Sequence, residues 1–471
     1  MTWRDYLIAL LHVAAEVEHG LMVQYLYAAY SLGGPGLTEE QAAEVAGWQK
    51  NILDVAKEEM GHLLTVQNLL ALLGAPPNLT RTETPFEEAL SPIPFSLEPL
   101  TREVAASFTF AEMSPDLELH LATSKRLRRG LEDFLDHHQL KPLTKETRRL
   151  SRSLGSPDTK PQPVALLYEE VIRVIGDEAL IPDSDFDETS YEAQASWDDW
   201  GRGYAPDPKR LSATGDLVSE RAKRHRANVI VMRAATRTDA LQALRAISGQ
   251  GEAIHLQHPH KLKQKLKEEE EDGAGAEASH FERFLAIWQH YPQNWRPYRN
   301  VMRNPATRPS AARHRSMITD PQALDWAVLF NLRYRMLLSF LAHSFRLSRV
   351  TPSGVPGLRG MIMHRAFGEM YNLKAVAGIL VRLKVSKHGE PDLYAGPPFE
   401  TPYSLNMPPA NSDCFRLHRD LYLGALDVNE KLQANTGGPA FSYLKSLHEL
   451  DRAALRWIET MLRAPAERER A

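Results

Sequence analysis

The segment Ile52–Gly74, ILDVAKEEMGHLLTVQNLLALLG, constrains the fold more than any other stretch of the chain. Ile52, Val55, Val66, Leu69 and Leu73 recur at the spacing of one helix face, and Glu59 and His62 lie on that face. A carboxylate and an imidazole in an apolar stripe are costly unless they pair with each other or bind a metal. A metal needs further donors. Helical bundles that hold two cations take one Glu from each of two helices and Glu-x-x-His from each of the other two.

The remaining pattern is helical. Residues 3–32 carry Leu7, Leu11, Ala14, Glu18, Met22, Tyr25 and Ala29 on one stripe, ended by Gly33-Gly34-Pro35-Gly36. Thr38 with Gln41 forms a capping box for the next helix, which runs to Gly74 with Pro76 and Pro77 beyond. A short loop between two such helices predicts an antiparallel pair. Residues 76–235 read as a less regular insertion, with helical patterns near 100–113, 115–136 and 162–176 and a polar segment at Asp183–Pro208 expected on the surface. Further helices are expected from Thr238, over Glu277–His290, and at 321–348, 357–384, 415–434 and 438–464, while Glu268–Asp272 reads as a solvated loop. Strand-like alternation is scarce, so the predicted class is all-α. Residues 1–300 are expected to form the bundle, and 301–471 a helical region capping it.

The partners that Glu59 and His62 need are present in the sequence. Glu277 and His280 repeat Glu-x-x-His ahead of Phe284 and Ile287. Glu252 falls in line with Leu241, Leu244 and Ser248, and Glu18 with Leu11 and Tyr25. The predicted ligands are therefore Glu18, Glu59, His62, Glu252, Glu277 and His280. Carboxylates and imidazoles without thiolates suit iron and manganese better than a structural zinc. Short motifs also occur by chance, Glu252–His255 being a further match, so the weight rests on placement in apolar stripes. His255 reads as a helix-end residue, and Glu112 as lying outside the set. Glu58, about 100° around the helix from Glu59, is expected beside a ligand or on the surface. Tyr25, two turns from Glu18, is the candidate catalytic residue, through a hydrogen bond to a ligand or one-electron chemistry. A core aromatic with a satisfied hydroxyl is the plain alternative.

Composition narrows the classes. Lys and Arg total 56 against 60 Asp and Glu, so global charge favours neither nucleic acid nor membrane as partner. The single cysteine, Cys414, excludes an internal disulfide and a Cys-rich metal site, and fits a reducing, cytoplasmic setting. Leu7–Ala15, interrupted by His12, is too short for a span.

The runs AAEVEHGLMVQYLYAAYSL, VAKEEMGHLLTVQNLLALLGAPPNLT, ALRAISGQGEA and EASHFERFLAI resemble the ferritin-like domain of the iminophenyl-pyruvate dimer synthase family. VLFNLRYRMLLSFL and LYAGPPFE resemble it more loosely. That family includes domains of the large enzymes that couple tryptophan-derived imines. The resemblance implies a ferritin-like four-helix core with a di-metal site on the residues named above. Val23-Gln24 stands where family members often carry a proline pair, and Ala253 replaces a glycine in their Gln-Gly-Glu-Gly turn.

The expected function is an O₂-dependent oxidoreductase with two iron ions, or iron and manganese, acting on a small amino-acid-derived metabolite in secondary metabolism. The small molecule and O₂ are the expected partners, and apolar surface on one long helix could support a homodimer. A ferroxidase or peroxide-handling protein, and a non-catalytic helical scaffold, are the alternatives. Asn331, Tyr334, His343 and His364 read as core polar groups of the C-terminal helices.

Overall fold

The computed structural model describes residues 2–81, 93–113, 133–134, 137–138, 164–196, 229–252, 278–309, 316–347, 357–386, 392–401 and 405–463. Among them are ten α-helices and one two-residue parallel strand pair, Pro305–Ala306 with Ser316–Met317, in keeping with an all-α chain. They divide into two units. The first comprises Met1–Tyr25, Thr38–Phe95 and Leu100–Pro297, and the second Leu26–Leu37, Ser96–Pro99 and Tyr298–Ala471.

The first unit is built on helices α1 (Trp3–Ser31) and α2 (Glu39–Leu72), α1 from Leu26 onward being assigned to the second unit. α2 starts as its sequence dictates: Thr38 accepts from the Gln41 amide, and the Gln41 side chain accepts from the Thr38 amide. It ends in a Schellman turn, in which the Ala75 amide donates to Leu70 and the Gly74 amide to Ala71. Gly74 sits at φ +64°, a conformation that costs glycine nothing. The Arg4 guanidinium caps the Leu73 carbonyl, which sets the start of α1 beside the end of α2 in an antiparallel pair. α1 is long and apolar enough to cross a membrane, but 61% of that stretch is buried within the protein, so its length and hydropathy are those of a core helix.

α2 is buried on nearly every side from Asp54 to Leu72. One of its faces receives extended backbone instead of side chains. A Cβ at Gly61 would lie 2.5 Å from the Ile230 carbonyl oxygen, so only glycine admits that approach. One turn on, Thr65 donates to the Ile230 carbonyl and accepts from the Met232 amide, and Asn68 donates to the Ala195 and Met232 carbonyls. Gly61 thus admits segment 229–232, and Thr65 and Asn68 supply hydrogen bonds that a neighbouring strand would otherwise give it. The polar segment from Asp183 is not wholly a surface insertion. Its exposed 3₁₀ turns lead into Gln194 and Ala195, both buried, with Gln194 bonded to both backbone groups of Ala234.

The unit is completed by α3 (Arg102–Ala111), α4 (Val164–Gly176), α5 (Arg237–Glu252) and α6 (His280–Gln289), with α6 packed on α3, α5 and α2, and α4 on α5. α6 differs from expectation. Ser279 caps it, with Glu282 completing a capping box, so His280 is its first residue and not one turn inside a helix from Glu277. Glu277, His255 and the loop Glu268–Asp272 lie outside the described residues.

The second unit contains α7 (Pro321–Ser344), α8 (Leu358–Leu380), α9 (Asn411–Gln433) and α10 (Gly438–Arg463). α7 packs on α8 and α9, and α9 on α10. Arg333 is fully buried there between two carboxylates: it pairs in a fork with Asp451 of α10, and Nη1 lies 3.3 Å from Glu369 of α8. His343 and His418 form a second buried polar pair, with Nδ1 and Nε2 3.0 Å apart. Asn331 donates to Glu400 at 2.6 Å and accepts from the Glu400 amide, Tyr334 packs edge-on against Phe399, and His364 is exposed.

Candidate metal centre

Burial makes the charged groups of α1 and α2 interdependent. Glu18, Glu59, His62, Glu112 and His280 are each at most 3% exposed, which leaves water little role in solvating five ionisable side chains. The elements that deliver them are the middle of α1, the middle of α2, the C-cap of α3 and the first residue of α6.

Glu59 is the hub. Its Oε2 lies 3.0 Å from His62 Nδ1, and its Oε1 lies 2.7 Å from His280 Nδ1. A second carboxylate flanks each imidazole at nearly equal range: Glu18 Oε2 is 3.6 Å from His62 Nδ1, and Glu112 Oε2 is 3.7 Å from His280 Nδ1. The two rings lie 5.4 Å apart, within 25° of parallel. Each flanking carboxylate accepts a hydrogen bond from a buried tyrosine, Glu18 from Tyr168 of α4 and Glu112 from Tyr25 of α1. The result is a pseudo-twofold cluster with Glu59 on the axis.

The outer nitrogens complete the arrangement. His62 Nε2 lies 3.0 Å from the Gln250 side-chain oxygen, and His280 Nε2 lies 2.9 Å from Glu58 Oε2. Each partner is an acceptor, so each Nε2 carries a proton and Nδ1 is the nitrogen that faces the inner carboxylates. Arg283, one turn along α6, reaches Glu58 Oε2 at 3.1 Å. Glu58 is thus held beside a histidine and is fully buried, not on the surface.

Without a cation the cluster is balanced by protons. Burial opposes charge on His62, but Glu59 and Glu18 outweigh it and lift the imidazole to about 10. Burial also opposes charge on His280, which Glu59, Glu112 and Glu58 raise well above the usual range. Burial and the Glu112 charge push Glu59 up, yet the two imidazoles prevail and hold it below the ordinary carboxylate value. Glu18 is pushed up to about 8, by burial first and by Glu59 second. A proton on an inward nitrogen is what a cation bound there would displace.

The donors fit such cations. Two ligand atoms about 2.1 Å from one ion, at tetrahedral or octahedral angles, lie roughly 3.0–3.4 Å apart. The observed separations bracket that interval. Glu59 Oε1 and His280 Nδ1 are buried and close, yet among the described residues neither has a hydrogen-bond partner of acceptable angle. Glu59, His62 and His280 are also the described residues whose donor atoms converge closely enough to share one ion. Carboxylate and imidazole donors without thiolate match iron or manganese.

Of the predicted ligands, Glu18, Glu59, His62 and His280 converge here, and Tyr25 stands beside them. Glu252 is the last residue of α5, two positions after Gln250, and its side chain lies outside the described residues, as does Glu277. Glu112 corrects the sequence reading, which set it aside: its carboxylate reaches the centre from the C-cap of α3. Tyr168 and Gln250 were not singled out. The contacts that bring them in bridge 150 and 188 positions, and no local spacing signals them.

Comparison with known proteins bears on the fold. The ferritin-like family model matches residues 11–289. The chain belongs to the ferritin-like family. Its resemblance to chromopyrrolate-type synthases also has a counterpart among curated proteins: a dichlorochromopyrrolate synthase from Lentzea aerocolonigenes is 26% identical over 427 residues. The match takes in 85% of this ferritin-like chain but spans only 36% of that enzyme's length. No solved structure matches the chain.

Proposed function

We propose that this ferritin-like protein is an O₂-dependent oxidoreductase with two metal ions, iron or iron with manganese, acting on a small amino-acid-derived metabolite in secondary metabolism. The observation that carries the proposal is Glu59 set between two buried imidazoles whose inner nitrogens both face carboxylates. The similarity to a chromopyrrolate-type synthase supports an oxidative reaction on such a metabolite.

When bound, the metal pair supplies the electron transfer to O₂ that side chains alone lack. Glu18, Glu59, Glu112, His62 and His280 hold the ions, and the outer partners Gln250 and Glu58 fix both imidazoles in the ligating tautomer. Tyr25 is packed against Phe108 and Phe284, ring centroids 4.7 Å from each, which excludes water from its hydroxyl. Burial, and then the Glu112 charge, raise it well above the ordinary phenol range. It therefore stays a phenol and donates its hydrogen bond to the Glu112 carboxylate. That hydrogen is placed to move with an electron beside the His280 side of the centre. A scaffold reading is disfavoured because buried ion pairs seldom stabilise more than an apolar core.

Elemental mass spectrometry on protein produced with iron and manganese tests the reading. About two transition metals per chain in the wild type, lost in Glu59→Ala, is the expected result. Tyr25→Phe retains the metal but loses substrate-coupled O₂ consumption. A folded, metal-free wild type overturns the proposal, and steady oxidation of added iron by O₂ with no organic partner favours a ferroxidase.

A further inference from the structure

The two halves of the centre are matched in their inner atoms and differ in what holds their outer nitrogens. Around Glu59 the inner distances pair off, 3.0 with 2.7 Å and 3.6 with 3.7 Å, and each flanking carboxylate has its tyrosine. The outer nitrogen of His62 donates to a neutral amide, Gln250. The outer nitrogen of His280 donates to a carboxylate, Glu58, which Arg283 pairs with in turn. The difference is built into the helices: Glu58 and Arg283 lie on the mutual faces of α2 and α6, while Gln250 comes from the last turn of α5.

We infer that the two metal positions are inequivalent, the His280–Glu112 position binding a divalent cation more tightly and filling before the His62–Glu18 position. The inference rests on the di-metal reading. An imidazole whose outer N–H donates to a carboxylate has more electron density on its inner nitrogen than one bonded to an amide. Loss of such an outer partner commonly costs about 10–100-fold in metal affinity. Among the described residues, Glu18 and Glu112 are both tyrosine-bonded and Glu59 is shared, so those donors offset one another, and the Glu58–Arg283 pair against Gln250 is the difference left over there. Glu58 and Gln250 are positioning residues, each acting through its histidine.

The test is calorimetric titration of the full-length, chelator-stripped protein with Mn²⁺, followed in parallel by electron paramagnetic resonance. The expected isotherm has two classes of site separated by at least about tenfold. The first equivalent gives the six-line signal of isolated Mn²⁺, and the second diminishes it as coupled pairs form. Glu58→Gln weakens the tight class by about 10–100-fold and leaves the weak class in place. Gln250→Glu acts from the other side, tightening the weak class and narrowing the gap. Because the two variants move different classes, a general loss of folding cannot imitate the pattern, and circular dichroism confirms that each is folded. Two sites of equal affinity in the wild type, or equal weakening of both classes by Glu58→Gln, overturn the inequivalence while the di-metal reading stands. Absence of Mn²⁺ binding to folded wild type overturns both.

Discussion

Glu59 gives one oxygen to each half of the centre, so its removal should cost both cations, whereas removing Glu18 should cost one. The consequence is measurable as metal-linked stability. A ligand that binds only the folded state at a free concentration of 100 Kd adds about 2.7 kcal/mol per site. Two sites then add about 5 kcal/mol. The first unit spans about 280 residues, for which each kcal/mol moves the melting temperature by about 2 °C. Saturating Mn²⁺ should therefore raise the first unit's melting temperature by about 10 °C over the chelated protein. In Glu18→Ala the increment should fall by somewhat less than half, because His62 keeps only Glu59 as an inner carboxylate neighbour among the described groups while the tighter His280–Glu112 side is untouched. In Glu59→Ala it should vanish. Differential scanning calorimetry with and without chelator measures the increment within each variant, so the cavity left by truncation cancels. A full increment in Glu59→Ala, or none in the wild type, would refute the hub assignment.

Three further outcomes follow from buried groups elsewhere. Asp451→Ala leaves Arg333 with Glu369 alone in the core of the second unit and should cost about 3–5 kcal/mol in urea unfolding, much of it recovered by adding Arg333→Met. Gly61→Ala drives a methyl against the Ile230 carbonyl at 2.5 Å and should cost about 1–3 kcal/mol, lowering metal retention through the adjacent His62. Burial lowers His343 to about 4, with Arg346 adding to the shift, so the proton is bound more tightly by the unfolded chain. The stability that His343 contributes is complete above its unfolded value near 6.5, and about 3 kcal/mol is lost as pH falls toward 4. Unfolding curves across that window should show the loss, and His343→Gln should flatten it.

The helices were legible because each carries its own local signals. Thr38 with Gln41 and Gly74 with its following prolines mark both ends of α2, and the structure places caps at those residues. The start of α6 differs from the expected one for a comparably local reason. Ser279 and Glu282 form a capping box, but the apolar stripe from His280 onward invited extension back to Glu277. The hydrophobic period tells where a helix faces, whereas the cap tells where it begins. The polar segment after Asp183 misled because Gln194 is buried by pairing with the backbone of Ala234, and composition alone assigns such a residue to solvent.

The centre was legible to the extent that its donors share a stripe. Glu18, Glu59 and His62 were found that way, and all three converge. Glu58 shows the limit of the method. A one-stripe helix has an outward face about 100° from its ligands, but α2 is buried from Glu58 through Leu70 and has no such face there. Its full burial is what allows Glu59 and Glu58 to serve opposite sides of one imidazole, His280 Nδ1 and Nε2, from adjacent positions. Glu112 fails the stripe criterion differently: as the C-cap of a ten-residue helix it stands where the period has just ended. Ligands at helix ends and on fully buried helices escape periodicity. They can still be anticipated as acidic residues with no solvated face to occupy, a property of helix α2's composition as a whole more than of any single spacing within it.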